Sequence, residues 1–176
     1  MNKLLTARLE LIPCSYEYGK IIVENKSLLK SAMGLDISDN WPLEDLKDFL
    51  PAYLEMIQSD PLLLGWGIWL IVHEEEQKII GDIGFKGKPD DNGNIEIGYS
   101  VVPEYRRQGY CHEASRGLVG CAFEQLGVNK ILAECDKDNI SSIRILEKLH
   151  MHLIERNDQM LNWELTKTSW EKSHFA

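Results

Sequence analysis

Residues 95–118, IEIGYSVVPEYRRQGYCHEASRGL, constrain the fold more than any other stretch of the chain. Ile95, Ile97, Tyr99 and Val101 alternate with Glu96, Gly98, Ser100 and Val102, the period-two pattern of a strand with two different faces. After the loop PEYRRQG the period changes. A helix is expected from about Cys111 to Leu126, closed on its C-terminal side by Gly127. NKILAECDK then reads as the next strand, so residues 95 to 137 form one strand–helix–strand crossover.

The flanking segments supply the rest of a sheet and its cover. ARLELIP reads as a short strand ending at Pro13, and a helix capped by Ser15 is expected to run to about Leu29. A second helix is expected from near Pro42, since proline is tolerated in a first turn. Leu46, Phe49, Leu50, Tyr53, Leu54 and Ile57 recur there at helical spacing, with Pro51 as a kink or break. LGWGIWLIVH and KIIGDIGFKG read as strands joined by the acidic turn EEEQ, and their glycines point to bulges or close backbone approach. NISSIRILEKLH is a short amphipathic helix, and LIERN with MLNWELT makes a closing hairpin. The expected architecture is one α+β domain over residues 1–176, a mostly antiparallel central sheet with helices packed against it.

Composition narrows the function classes. A chain of 176 residues, 44% hydrophobic and 27% charged, can bury a core without disulfides or metal. Its formal net charge of -9 excludes a general nucleic-acid binder. The same charge either steers cationic or amine partners or simply keeps the protein soluble. Cys14, Cys111, Cys121 and Cys135 show no C-x-x-C spacing and read as reduced, mostly buried thiols of a cytoplasmic protein. MNKLLTARLELIP is too short an apolar run for a signal peptide, and Arg8 and Glu10 interrupt it. No run approaches the roughly 18 apolar residues that cross a membrane. His150 and His152 have no third partner at ligand spacing, so no metal site is expected.

The junction itself has the makings of an anion site. A helix start presents unpaired backbone N–H groups and the positive end of a dipole, where phosphate binds well. Gly109 permits close approach, and Arg106 and Arg107 offer planar forks that match phosphate oxygens. The spacing is neither G-x-G-x-x-G nor G-x-x-x-x-G-K-[ST]. A solvated turn before a helix accounts for the same residues equally well.

RRQGYC, Arg106 to Cys111, resembles the pyrophosphate-binding signature Q/R-x-x-G-x-G/A of the GNAT superfamily of acyl-CoA N-acyltransferases. IEIGYSVVPEYRRQGYCHEA and DNISSIRILEKLHM resemble segments of its branch of ribosomal-protein N-terminal (Rim-type) acetyltransferases. LTARLELIP and KIIGDIGF resemble that branch's opening and its paired Ile-Gly strand, so the likeness spans most of residues 4–166. It implies a GNAT-like sheet with a splayed strand pair and helices on both faces. It also implies acetyl-CoA as cosubstrate and transfer of an acetyl group to a primary amine, either a protein N-terminus or a small molecule.

On that resemblance the pantetheine arm lies beside the strand at 96–102, with a backbone N–H of Ser100, Val101 or Val102 facing the thioester oxygen. The pyrophosphate sits on Arg106, Arg107, Gln108, Gly109, Tyr110, Cys111 and His112. Glu96 is the candidate base for the amine, alternatively a half-exposed strand residue in a salt bridge. Ser142 is the candidate acid for the departing thiolate, with Asn139 both holding pantetheine and capping its helix. The tyrosine that many members carry seven residues after the asparagine is here Leu146. A Cys111–His112–Glu113 triad fails on geometry, since consecutive helical side chains diverge. His150 stands where the family has a glycine, which predicts a distorted turn. A CoA-binding module without catalysis is the competing reading, and a sheet edge offers a surface for a homodimer.

Overall fold

The computed structural model describes residues 3–124 and 127–175, the side chains of 174 and 175 excepted. Its strands are β1 (Leu4–Leu5), β2 (Leu9–Pro13), β3 (Asp36–Ile37), β4 (Ile68–His73), β5 (Lys78–Phe85), β6 (Asn94–Val101), β7 (Lys130–Asp136), β8 (His152–Arg156) and β9 (Met160–Thr166). Its helices are α1 (Tyr16–Asn25), α2 (Leu29–Met33), α3 (Glu44–Ser59), α4 (Tyr110–Glu124), α5 (Ile140–Lys148) and α6 (Lys167–Phe175). The sheet runs β1-β2-β4-β5-β6-β7-β9-β8, with β3 alongside β5. Its main-path pairs are antiparallel except β6 with β7, the parallel pair that the crossover through α4 demands.

That pair is also where the sheet opens. β6 and β7 align only at Asn94↔Lys130, Ile95↔Ile131 and Glu96↔Leu132, whereas β6 stays paired with β5 through Val101 and β7 with β9 through Asp136. Beyond Ile97 β6 therefore presents an unpaired edge towards β7. The splay wedges apart a sheet that is otherwise continuous.

Both faces are covered, by different helices. Tyr53 of α3 lies against Gly67, where a Cβ would come within 2.2 Å of its ring, and its hydroxyl donates to Cys14 O at 2.6 Å. That close approach is why residue 67 has no side chain. On the opposite face α4 packs over β1, β2, β5 and β6, and α5 over β7. Trp41, Trp69, Leu9, Leu11, Leu29 and Ile71 are among the fully buried residues of one continuous core. Among the described residues no helix is long and apolar enough to cross a membrane, and no cluster of His, Cys, Asp and Glu is arranged to hold a metal.

The expected first helix is interrupted. Asn25 caps a short 3-10 turn at Lys26–Leu28, and α2 ends at Gly34 in the left-handed region, φ 73. Pro51 does not break α3, which continues to Ser59. β1, β3 and α6 have no counterpart in the sequence reading, because two-residue strands and a helix with little amphipathic contrast carry no periodic signal. The expected end of α4 at Leu126 lies outside the described residues. The turn at His150 is not distorted: His150 takes φ 59, the left-handed value that suits glycine, and Met151 N–H donates to Leu146 O at 3.0 Å as in an ordinary helix end, so the strain falls on the histidine itself.

Candidate active site

The loop between β6 and α4 is built from alternating backbone hands. Arg106 is extended, Arg107 has φ 61 and Gly109 has φ 87. Such alternation gathers successive N–H groups on one side, the geometry of an anion-binding nest. The first bond of α4 runs from Glu113 N–H to Gly109 O at 3.0 Å, so the amides of Tyr110, Cys111 and His112 lie ahead of the helical ladder. Arg106 and Arg107 are exposed beside them. Arg106 Nε donates to Val101 O at 2.9 Å, which ties the loop to the open edge of β6.

Strand register decides which β6 amides face the splay. Val102 N–H donates to Ile80 O at 3.0 Å and Lys86 N–H to Glu96 O at 2.9 Å, so the even-numbered residues turn their backbone polar groups to β5. Ser100, opposite Asp82, shares that orientation. Of the three expected backbone donors, only Val101 points into the splay. Tyr99, one pleat back, points there as well.

Several side chains that the sequence did not single out hold this loop in place. Arg8 Nη1 donates to Gln108 O at 3.1 Å, its Nε and Nη2 reach Glu113 Oε2 at 2.8 Å, and its guanidinium lies 4.3 Å from the Tyr110 ring centroid. The Tyr110 hydroxyl meets His73 Nε2 at 2.9 Å. Glu104 accepts hydrogen bonds from Ser38 Oγ and, at 3.1 Å, from Asn40 Nδ2, and so binds the 38–41 loop to the turn before Arg106.

The two expected catalytic side chains stand on different walls. Glu96 is at the vertex of the splay, ion-paired to Lys86, whose Nζ also lies 3.1 Å from Glu134 of β7. Ser142 is at the start of α5, where its N–H donates to Asn139 Oδ1 at 3.1 Å, so Asn139 does cap the helix. The Tyr99 phenol lies within hydrogen-bonding reach of Ser142, and burial raises its pKa. Leu146 is buried in the core, so no acid comes from that position.

Cys111 and His112 serve the interior. Burial pushes the Cys111 thiol up to about 12, while Ser115 and Arg106 only partly oppose it. Desolvation lowers the His112 pKa, and its ring is turned to the Lys148 carbonyl at the end of α5. The loop therefore gains the His112 amide but not an imidazolium. Another carboxyl missed by the sequence, Asp82 of β5, accepts from Ser100 Oγ at 2.7 Å and Trp41 Nε1 at 3.0 Å, and burial raises its pKa to about 6. Nothing in its local sequence marks it, because both donors are distant along the chain.

A β6 edge free for hydrogen bonding, opening beside an amide nest and two arginines, suits an elongated ligand with a phosphate end. Comparison with known proteins agrees. The family model of the acetyltransferase (GNAT) domain matches residues 22–152. The N-acetyltransferase YjdG of Bacillus subtilis is 34% identical over 131 residues, 74% of this chain and 78% of that protein. Among solved structures, a ribosomal-protein alanine acetyltransferase from Vibrio fischeri superposes with TM-score 0.68 at 15% identity, over 96% of this chain and 98% of the other. A ribosomal-protein alpha-N-acetyltransferase in complex with coenzyme A gives 0.67 at 16% identity, over 95% and 99%. Splay, anion loop and sequence converge on one assignment: this chain belongs to the GNAT family, as an acetyl-CoA-dependent N-acetyltransferase.

Proposed function

We propose that the protein moves an acetyl group from acetyl-CoA directly to a primary amine, with the cofactor seated in the β6/β7 splay and its pyrophosphate on residues 106–112. The observation that carries this reading is the end of β6/β7 pairing at Glu96, next to the left-handed loop at Arg107 and Gly109. The unpaired N–H groups of Tyr99 and Val101 hydrogen-bond the pantetheine and the thioester oxygen. Donors already fixed in place stabilise a developing oxyanion without reorganising. The amides of 110–112 take the phosphates, Arg106 and Arg107 add charge, and Gln108 closes the loop through Glu104 O at 3.1 Å. Asn139 and Ser142 line the wall opposite β6, and the Ser142 hydroxyl, backed by Tyr99, protonates the departing thiolate.

The acceptor enters on the α3 side of the sheet, between the 38–41 loop and β6. A peptide N-terminus is favoured as acceptor: two of the structural neighbours are acetyltransferases of ribosomal proteins. An attacking amine must first lose a proton, because at neutral pH it is largely ammonium. Glu96 and Asp82 are the carboxyls of β6 and β5 on that face.

Release of CoA thiol with a panel of peptide N-termini and small amines tests the reading. Peptides turning over with kcat/KM at least tenfold above small amines supports it, and the reverse order assigns a small-molecule acceptor. A raised melting temperature with acetyl-CoA and no turnover of any amine would leave only a CoA-binding module.

A further inference from the structure

Asp82 and Glu96 face the same side of the sheet but in opposite electrostatic settings. Glu96 is tied to a lysine, and Lys86 bridges it to Glu134. Asp82 receives only neutral donors, both on Oδ1, and among the described residues no hydrogen bond or ion pair reaches Oδ2. The charged or titratable groups that act on it are Asp45 at the start of α3, Cys14 beside α1 and Cys111 on α4. Burial holds both thiols protonated, and among the described residues no cation is paired with this carboxylate.

Between the two carboxyls lies a notch. Ser100, Gly98 and Glu96 follow one another along one face of β6, and Asp82 sits across from Ser100 on β5. Gly98 is exposed, and a Cβ built there meets nothing within 4 Å. Gly84, its cross-strand partner, differs: a Cβ there would come within 2.1 Å of Gly67 O. Gly84 is glycine for packing. Gly98 leaves open space at the point where β6 parts from β7.

We propose that Asp82 is the proton acceptor of the acetyl transfer, taking a proton from an acceptor ammonium held in the notch over Gly98, while Glu96 with Lys86 anchors the vertex of the splay. This rests on the acetyl-transfer reading above. The ammonium N–H bond breaks, its electron pair stays on nitrogen, and the proton goes to Asp82 Oδ2. That pair then forms the N–C bond to the thioester carbon. The C–S bond breaks with its electrons going to sulfur, which takes a proton from Ser142, and the nitrogen, cationic after the attack, gives up its second proton through water to restore the Ser142 hydroxyl. Asp82 returns its proton to water. A carboxyl raised to about 6 is ionised at neutral pH yet basic enough to accept, the balance a general base needs. The bonds from Trp41 and Ser100 hold it between the acceptor loop and the cofactor strand.

The test is the pH dependence of kcat/KM for wild type, Asp82→Asn and Glu96→Gln, with the melting shift by acetyl-CoA measured alongside. Wild type should show an acid limb near pH 6. Asp82→Asn should lose that limb and about a hundredfold in kcat while keeping the melting shift, and Glu96→Gln should keep the limb. Asp82→Asn with a wild-type limb, or Glu96→Gln without one, overturns the assignment. The indole N–H resonance of Trp41 in wild type gives a second readout that needs neither turnover nor a variant. Movement with a midpoint near pH 6 supports a titrating Asp82, and a flat response overturns it. A wild type that acetylates no amine while Trp41 titrates would overturn the acetyl-transfer reading and leave the titration of Asp82 standing.

Discussion

His150 sits at φ 59 directly after α5, where an L side chain crowds its own carbonyl. Replacing it by glycine should raise unfolding stability by about 1 kcal/mol in urea titrations, since the left-handed cost disappears. Asp82 makes the opposite kind of statement. Its carboxyl ordinarily titrates near 3.8 and burial moves it to about 6, so the folded protein holds a proton that the unfolded chain releases across that window. Stability therefore falls as pH rises from about 4 to 6, by up to about 3 kcal/mol. Asp82→Asn, which keeps the oxygen facing Trp41 and Ser100, should match wild type at pH 4 and melt higher at pH 7. Equal melting at both values would contradict the burial argument. The strain at His150 was readable in the sequence because the family places glycine there. Asp82 and Arg8 were not, since their partners lie 18 to 105 positions away and only the folded sheet brings them together.

At the level of elements, β6 was legible and its surroundings were not. Its alternation marked two faces, and the loop to α4 advertised an anion site through Arg106, Arg107 and Gly109. Which amides are free depends on register with β5, and a single strand cannot reveal that. The 3-10 turn at Lys26–Leu28 follows from the Asn25 cap, where helical periodicity overshot, and β3 arises from its pairing with β5, which no local pattern announces. The division of labour between β6 and its loop gives a kinetic prediction. Gly98→Leu fills the notch on the acceptor side without touching the edge towards β7. It should raise KM for the amine at least tenfold and leave the melting shift by acetyl-CoA unchanged. Arg106→Ala with Arg107→Ala should do the reverse, cutting the melting shift while amine KM stays within about twofold. A variant that moves both quantities together would contradict the separation of the two subsites.

For the molecule as a whole, one topological choice produces the site. Parallel pairing of β6 with β7 through the α4 crossover puts a helix N-terminus at the C-terminal end of β6, and the early end of that pairing exposes the strand edge beside it. Helices on opposite faces then divide the work. On the proposed reading α4 and α5 close the cofactor side, and α3 with the 38–41 loop frames the acceptor side. The crossover was visible in the change of period at residues 102 to 111. The extent of the splay was not, because pairing that stops leaves no mark in composition. Amide hydrogen exchange with and without CoA tests the central claim most directly. CoA should protect the amides of Tyr99, Val101 and residues 110–112, while Ser100 and Val102, already bonded within the sheet, change little. Protection that bypasses β6 and the start of α4, or none at all, would contradict the account.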